Sequence, residues 1–454
     1  MKTISIRMHD NLRTIIKEAV LSSANESVIF LSAKYFETPR KKIFIANEAV
    51  PANERDYLNR GELHLKVSPL YVNRAISQAE KTKSTVIMIH SHPFENGKPH
   101  YSPTDDFGEA QTSETISKCL TGNPPVASIL VGQNQFNARA WTGLSKKKTA
   151  ANLTILGGNH FAFESEHDSD YLKDGSFLDR QIQAIGQGNQ NILSSLEIGI
   201  VGLGGTGSNV AEQLVRMGVN KFVLVDLDRF EKSNLSRLYG SVWKDTSRKT
   251  FKTDLVSSYL EKINPNISCR KINKSVLTND VLLELSNCDI IFSCLDRHAP
   301  RAVLNELSYQ CYIPIIDVGI GLVRKHDRIV GGSVRVTVIG PGMPCLFCQE
   351  IIRPDVISAE YLTPEKYNSL RAEGYVNDLQ NNVPSVISYT TLASSLGTII
   401  FLDSLTLENQ DLFSTLLFDI STKQTMKFKL KPNDDCVCQK RLGKGMDMRF
   451  SVSD

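Results

Sequence analysis

Four residues in the stretch "IMIHSHPFENGKPHYSPTDDF" (87–107) have types and spacing suited to metal chemistry: His90, His92, Ser102 and Asp105. Side chains two apart in a strand point to the same face. His90 and His92, at the end of an apolar strand expected over 85–89, would therefore present both imidazoles to one side. Asp105 follows Ser102 by three residues, with Pro103 between them. That is a helix N-terminus signature, with Ser as N-cap, Pro at the first helical position and an acid at the third. Taken alone, "SPTD" is plain capping and the histidines are polar loop residues. Together, two neutral ring nitrogens and one carboxylate leave a fourth zinc position open for water, as a hydrolytic zinc needs.

A second, unrelated set lies further along. "IGIVGLGGTGSNV" carries Gly202, Gly204, Gly205 and Gly207 between an apolar strand and a helix, where glycines let phosphates approach the backbone at a helix N-terminus. Asp226, with Asp228 two residues on, ends the next strand and suits a ribose hydroxyl. On these features alone a nicotinamide-cofactor enzyme is the default. Two downstream stretches argue against it. Asn234 and Arg237 in "DLDRFEKSNLSRL" and Lys252 in "FKTDLV" bring amide, guanidinium and ammonium donors, which suit a triphosphate and its pyrophosphate leaving group. Asp296 in "DIIFSCLDRHAPR" sits at a strand's carboxyl end, where open α/β sheets bind ligands and where an acid can hold magnesium. A third set, Cys345 and Cys348 in "PGMPCLFC" with Cys436 and Cys438 in "CVC", offers four thiolates that would close a zinc tetrahedron.

The elements that must position these groups form two parts. Residues 1–142 open with an amphipathic helix pattern, "NLRTIIKEAVLSSA", followed by the strands "SVIFLSAKYF" and "KKIFIANEAV". A helix near 69–80, the strand "STVIMI" and a helix from 103 complete a mixed α/β domain. The polar stretch "LSKKKTAAN" marks a seam, and 143–170 reads as a linker. From 171 to 454, apolar runs alternate with helix-length patterns, from "EIGIVGLGG" through "KFVLVDLD" and "CDIIFSCLD" to "IPIIDVGIG". That alternation predicts a doubly wound, mostly parallel sheet. With 454 residues, 41% hydrophobic and 22% charged, the chain is a soluble multidomain type. Its net charge of +3 gives no case for nucleic acid or an anionic membrane. "MKTISIRMHDNL" lacks the apolar core of a secretory signal, no stretch has the roughly 18 apolar residues of a membrane span, and a cytoplasmic protein is expected.

His90, His92, Pro93, Ser102 and Asp105 resemble the JAMM/MPN metalloprotease family, isopeptidases that remove ubiquitin-like proteins, with a slightly longer spacer than its best-known eukaryotic members. The resemblance implies zinc ligation by His90, His92 and Asp105, and oxyanion stabilisation by Ser102. It also implies a catalytic glutamate far upstream, best matched by Glu26 in "NESVIFLSA", with Glu48 as the alternative. The glycine loop, Asp226, "SNLSR", Lys252 and Asp296 resemble the ubiquitin-activating and ThiF-like adenylyltransferases, over roughly residues 175–445. That resemblance implies a Rossmann-like adenylation domain using ATP and magnesium, a homodimer in which Arg180 of "LDRQIQAIGQGNQNIL" reaches the partner's ATP site, and a structural zinc clip. The one-residue spacing of Cys436 and Cys438 departs from the family's usual two. Members that load a carrier onto themselves use a cysteine between the zinc pairs, and residues 349–435 contain none. The implied reading is a bacterial fusion that processes and adenylates a ubiquitin-like carrier beside a conjugating-enzyme-like partner, in some cases in antiphage defence. The alternatives are sulfur-carrier activation for cofactor or cysteine synthesis, and a non-catalytic docking role for the first domain.

Overall fold

The run "VIFLSAKYFE" is β-branched and aromatic enough to favour a pleated surface with both faces covered, and it forms the strand Val28–Glu37, buried over its first seven residues. It pairs antiparallel with Lys41–Pro51 on one side and Thr85–Ser91 on the other. The computed structural model describes residues 2–62, 64–142, 147–157, 160–164, 176–372, 384–406 and 413–451. Within these, the first sheet has eight strands, in the order Thr3–His9, Lys41–Pro51, Val28–Glu37, Thr85–Ser91, Val126–Val131, Phe136–Thr142, Lys147–Gly157 and His160–Glu164. Lys147–Gly157 also pairs with Thr3–His9, so the sheet curls back on its first edge. Helix Asp10–Leu21 buries Leu12, Ile16 and Val20 on one face. Helices Pro69–Lys81 and Pro103–Cys119 pack Tyr71, Ala75 and Ile116 on the other.

This corrects the expected linker over 143–170. Lys147–Gly157 and His160–Glu164 are strands of the first sheet. Their polar start, "KKTAAN", hid the alternation that begins at Leu153; Leu153 and Ile155 are buried there. Residues 143–146, 158–159 and 165–175 lie outside the described residues.

The second sheet runs Ser268–Ile272, Lys221–Val225, Glu197–Val201, Ile290–Ser293, Ile315–Lys325, Arg328–Ile339, Thr415–Asp419 and Thr425–Phe428. Its first five strands are parallel and its last three antiparallel. The sheet is parallel over most of its strands, as the alternation predicts, and its antiparallel part has a local cause. Only His326 and Asp327 separate Lys325 from Arg328, too few for the crossover of a dozen or more residues that a parallel neighbour needs. Strand order reverses between Glu197–Val201 and Ile290–Ser293, which opens a crevice at their carboxyl ends. Among the described residues, no helix is long and apolar enough to cross a membrane.

The two sheets share a seam. Ile43, Ile45, Leu156 and Phe161 of the first part belong to the core of the second. Arg7 is buried and donates across the seam to the carbonyls of Cys311 (2.9 Å), Ser286 (2.9 Å) and Cys288 (3.1 Å). Lys41 pairs with Asp289 at 2.9 Å, and Arg40 pairs with Glu197. Removing the Arg7 guanidinium strands three buried acceptors, so Arg7→Met should cost about 3 kcal/mol. The check is the urea midpoint of the full chain; an unchanged midpoint would show that these bonds do not hold the seam.

Candidate functional site

His90 lies in the strand Thr85–Ser91 and His92 just beyond its end, with ring centroids 5.4 Å apart. Ser102 is the N-cap of helix Pro103–Cys119. Its Oγ accepts from the Asp105 N–H at 3.1 Å, and Asp105 Oδ2 accepts from the Ser102 N–H at 2.7 Å. This capping box fixes the carboxylate where Oδ1 is 3.4 Å from His90 Nε2 and Oδ2 is 3.5 Å from His92 Nε2. Glu26, 4% exposed, sets Oε1 3.5 Å from His92 Nε2. Arg60 holds that segment by donating from Nε to the Glu26 carbonyl at 3.1 Å. Glu48 is exposed and accepts from Gln78 instead, so the fold brings Glu26 rather than Glu48 to the histidines.

The outer ring nitrogens face carboxylates, His92 Nδ1 meeting Glu95 Oε1 at 2.7 Å and His90 Nδ1 lying 3.5 Å from Glu109 Oε1. Both Nε2 atoms therefore turn inward. The ligand atoms of His90, His92 and Asp105 lie within 4.8 Å of one another, and His90 Nε2 is buried with no hydrogen-bond partner. A buried polar atom left orphaned beside a second imidazole and a carboxylate fits a three-donor metal site with a position to spare. Burial is the main cause that raises the Glu26 carboxyl above its usual pKa, which suits a group that must accept a proton. Burial would raise Asp105 too, but the His90 and His92 rings beside it and the Ser102 N–H hold it well below the usual carboxylate range. Glu95 and Glu109 escaped the sequence reading. Glu109 stands one helical turn after Asp105, on the same face. That spacing was the available signal. Its Oε2 is gripped by Ser128, Arg139 and Trp141, which leaves Oε1 toward His90.

The glycine stretch forms the turn into helix Gly205–Arg216. Gly202 has a φ of +88°, and a Cβ there would stand 2.6 Å from the Cys294 carbonyl oxygen; one on Gly207 would fall 1.8 Å from the Gly202 oxygen. Only glycine permits that approach. Asp226 Oδ2 accepts from the Leu203 N–H at 2.6 Å, and its Oδ1 from the Asp228 N–H at 2.8 Å. Burial raises Asp226, against the pull of Lys252. Lys252 Nζ pairs with Asp228 at 2.7 Å, and Arg237 lies against the loop, its side chain facing Gly205. Asn234 caps the short helix Lys232–Asn234, accepting from the Glu231 N–H at 3.1 Å. Asp296 is exposed beyond Ile290–Ser293, after Cys294 and Leu295, which lie against the loop. The fold thus brings the glycine loop, Asp226, Asp228, Arg237 and Lys252 together, with the segment leading to Asp296 against the loop. The Arg180 side chain is exposed on helix Asp179–Ile185 and makes no hydrogen bond or ion pair among the described residues.

Beneath the crevice, Asp317 is fully buried, takes a hydrogen bond from Ser293 at 2.7 Å and pairs with Arg335 at 2.8 Å and Arg301 at 3.2 Å. Sequence reasoning missed this triad, because its members come from two strands and a helix. The four cysteines also meet. Sγ separations are 3.6 Å for Cys345–Cys348, 3.5 Å for Cys345–Cys436 and 3.9 Å for Cys348–Cys438. Tetrahedral zinc–sulfur bonds would place sulfurs roughly 3.8 Å apart, so the cluster fits zinc despite its unusual second spacing. Hydrogen bonding from Cys438 lowers the Cys345 thiol, while burial raises Cys436. Outside this cluster, Cys119 is exposed where its helix ends. Burial raises Cys269 to about 11 and Cys311 to about 12.

A family model described as the ThiF family matches residues 178–438, more than half of the chain. The chain is 27% identical over 180 residues to the SAMP-activating enzyme E1 of Haloferax volcanii, across 38% of this chain and 63% of that protein. It is 24% identical over 183 residues to ubiquitin-like modifier-activating enzyme 5 of Dictyostelium discoideum, across 38% and 45%. It is 26% identical over 159 residues to the molybdopterin-synthase adenylyltransferase of Escherichia coli, across 35% and 60%. In each case the match spans less than two thirds of the relative.

Proposed function

Since the chain belongs to the ThiF family over residues 178–438, we propose that this part uses ATP to adenylate the C-terminal carboxylate of a ubiquitin-like carrier protein. The observation that carries the reading is the convergence of the glycine loop, Asp226, Arg237, Lys252 and the segment leading to Asp296 on one crevice. Gly202, Gly204, Gly205 and Gly207 let the phosphates approach backbone N–H groups. Asp226 and Asp228 take the ribose, and Asn234, Arg237 and Lys252 take the polyphosphate. Asp296 holds magnesium, and Arg180 comes from a second copy of the chain. The test is ATP–pyrophosphate exchange that depends on a carrier ending in Gly-Gly.

The first part is a zinc (iso)peptidase that trims or frees the same carboxylate. A zinc held by His90, His92 and Asp105 would act as a Lewis acid and acidify a water at its open position. Glu26 is placed to take a proton from the attacking water and return it to the leaving amine. Ser102 accepts only as a cap and keeps a hydroxyl proton to donate to the developing oxyanion. Cys345, Cys348, Cys436 and Cys438 hold a structural zinc. Metal analysis separates this reading from a docking role for the first part. The full chain should hold two zincs, and His92→Ala should lower that to one and end cleavage while pyrophosphate exchange persists. One zinc in the unaltered chain would leave the first part a scaffold.

Residues 349–435 contain no cysteine, burial raises Cys269, Cys288, Cys294 and Cys311, and the exposed Cys119 lies on a helix of the first part, outside the ThiF-family region. The chain therefore stops at the acyl-adenylate or hands the carrier to a hydroxyl or to a conjugating-enzyme-like partner. ATP and carrier should give no reductant-labile adduct on a denaturing gel, and such an adduct would overturn this step. Likeness to the molybdopterin-synthase adenylyltransferase favours a second reading with the same chemistry, in which the carrier is one that delivers sulfur.

A further inference from the structure

We infer that the two candidate sites serve separately docked carriers, and that a carrier freed at the histidine site passes through solvent before it is adenylated. This rests on the proposed function and concerns the hand-over between its two steps. The register of the first sheet places the histidine site at one end: Val28 pairs with His90, Ile29 pairs with Pro51, and Glu26 lies two residues before Val28. The seam contacts lie toward the other end. Thr38 bonds Asn287, Arg40 pairs with Glu197 and Lys41 with Asp289. The nearest seam contacts along these strands are Lys34, paired with Asp447, and Asn47, bonded to the Gly443 carbonyl. They stand roughly 20 Å from Val28 and 13 Å from Pro51 at about 3.3 Å per residue. Helix Pro69–Lys81 fills that interval. The Tyr71 hydroxyl near its start holds the Val50 carbonyl at 2.7 Å, and the Thr82 carbonyl after its end accepts from Lys34 at the seam.

In the second part, three groups of seam residues precede parallel strands. Glu197 starts one of them, Ser286 to Asp289 lead into Ile290–Ser293, and Cys311 precedes Ile315–Lys325. The nucleotide residues all follow the strands: 202–207 after Val201, 226–228 after Val225 and 294–296 after Ser293. Val201 pairs with both Val225 and Ser293, so those carboxyl ends are level. A strand of five residues, roughly 16 Å at that rise, separates them from the seam. Each site thus occupies the end of its own sheet that is remote from the other. A carrier docked with its terminus between Glu26 and the histidines presents that terminus away from the glycine loop. The covalent fusion keeps the two activities equal in number and gives no shared chamber.

The probe is a β-grasp carrier protein ending in Gly-Gly, made with a short C-terminal peptide extension and a label. Its cleavage and its adenylation by the full chain are first measured singly, and those measurements test the proposed function. The labelled, extended carrier is then mixed with about a tenfold excess of unlabelled carrier already ending at Gly-Gly. Passage through solvent lowers the labelled share of the first adenylate to roughly a tenth, whereas hand-over on the enzyme would act at a high effective concentration and keep the label. Label above the dilution value overturns the inference. As a second arm, Glu26→Gln and Asp296→Asn chains are combined. They should convert extended carrier to adenylate as fast as wild-type chains holding the same number of intact sites of each kind, and a several-fold deficit would overturn the inference.

Discussion

Chains carrying Arg180→Ala and chains carrying Asp296→Ala should each fail in ATP–pyrophosphate exchange, yet an equal mixture that exchanges subunits should recover about a quarter of wild-type activity. Asp296 is exposed at the carboxyl edge of the sheet, after Cys294 and Leu295, which pack on the glycine loop. Arg180 is exposed on helix Asp179–Ile185 and has no partner within its own chain among the described residues. A guanidinium left unpaired in this way fits a role across a two-fold interface, where it would stabilise the polyphosphate as pyrophosphate leaves. Half the dimers in the mixture are mixed, and each then holds one site with Asp296 from one chain and Arg180 from the other, and one site with both lesions. If Arg180 acted on its own chain's nucleotide, every site would carry a lesion and the mixture would stay dead. Subunit exchange is shown independently with differently tagged chains. Exchanged but inactive mixtures would remove the trans role of Arg180.

Glu26→Gln should lower cleavage of an extended carrier by on the order of 10²–10⁴-fold while zinc content stays at two per chain. The amide keeps the size of the side chain and its place beside His92, where Oε1 lies 3.5 Å from Nε2, and loses only the capacity to take a proton. Exchange at the second site should be unchanged. Cleavage that survives would return the role to Glu48, although the fold holds Glu48 exposed against Gln78. A fall in zinc along with cleavage would instead make Glu26 a ligand. Parallel measurement of metal and turnover therefore separates the two roles.

The donor sets were legible in the chain because their geometry is local. His90 and His92 share a face because side chains alternate along an extended chain, and Asp105 is held at the helix mouth by the same capping box that "SPTD" announces. The glycine loop was equally plain, since a strand, a turn and a helix suffice to present it, whereas Asp226, Arg237, Lys252 and Asp296 follow later strands, and the resemblance is what ties them into one set. Long-range pairing decided the rest. Glu26 and Glu48 both flank apolar strands, and only the register of Val28 against His90 brings one of them to the histidines. Glu95 and Glu109 took on meaning once the rings were oriented. The strands Lys147–Gly157 and His160–Glu164 looked like a linker because their partners lie elsewhere in the chain, Thr3–His9 for the first of them. The sequence by itself determined which donor groups the chain carries and how closely they are spaced, through patterns that one or two elements fix. Only the tertiary structure decided that the two donor sets stand on opposite sides of a shared seam, each toward the far end of its own sheet, because contacts such as those from Arg7 to Ser286 and Cys311 join residues too distant in sequence for any local pattern to record.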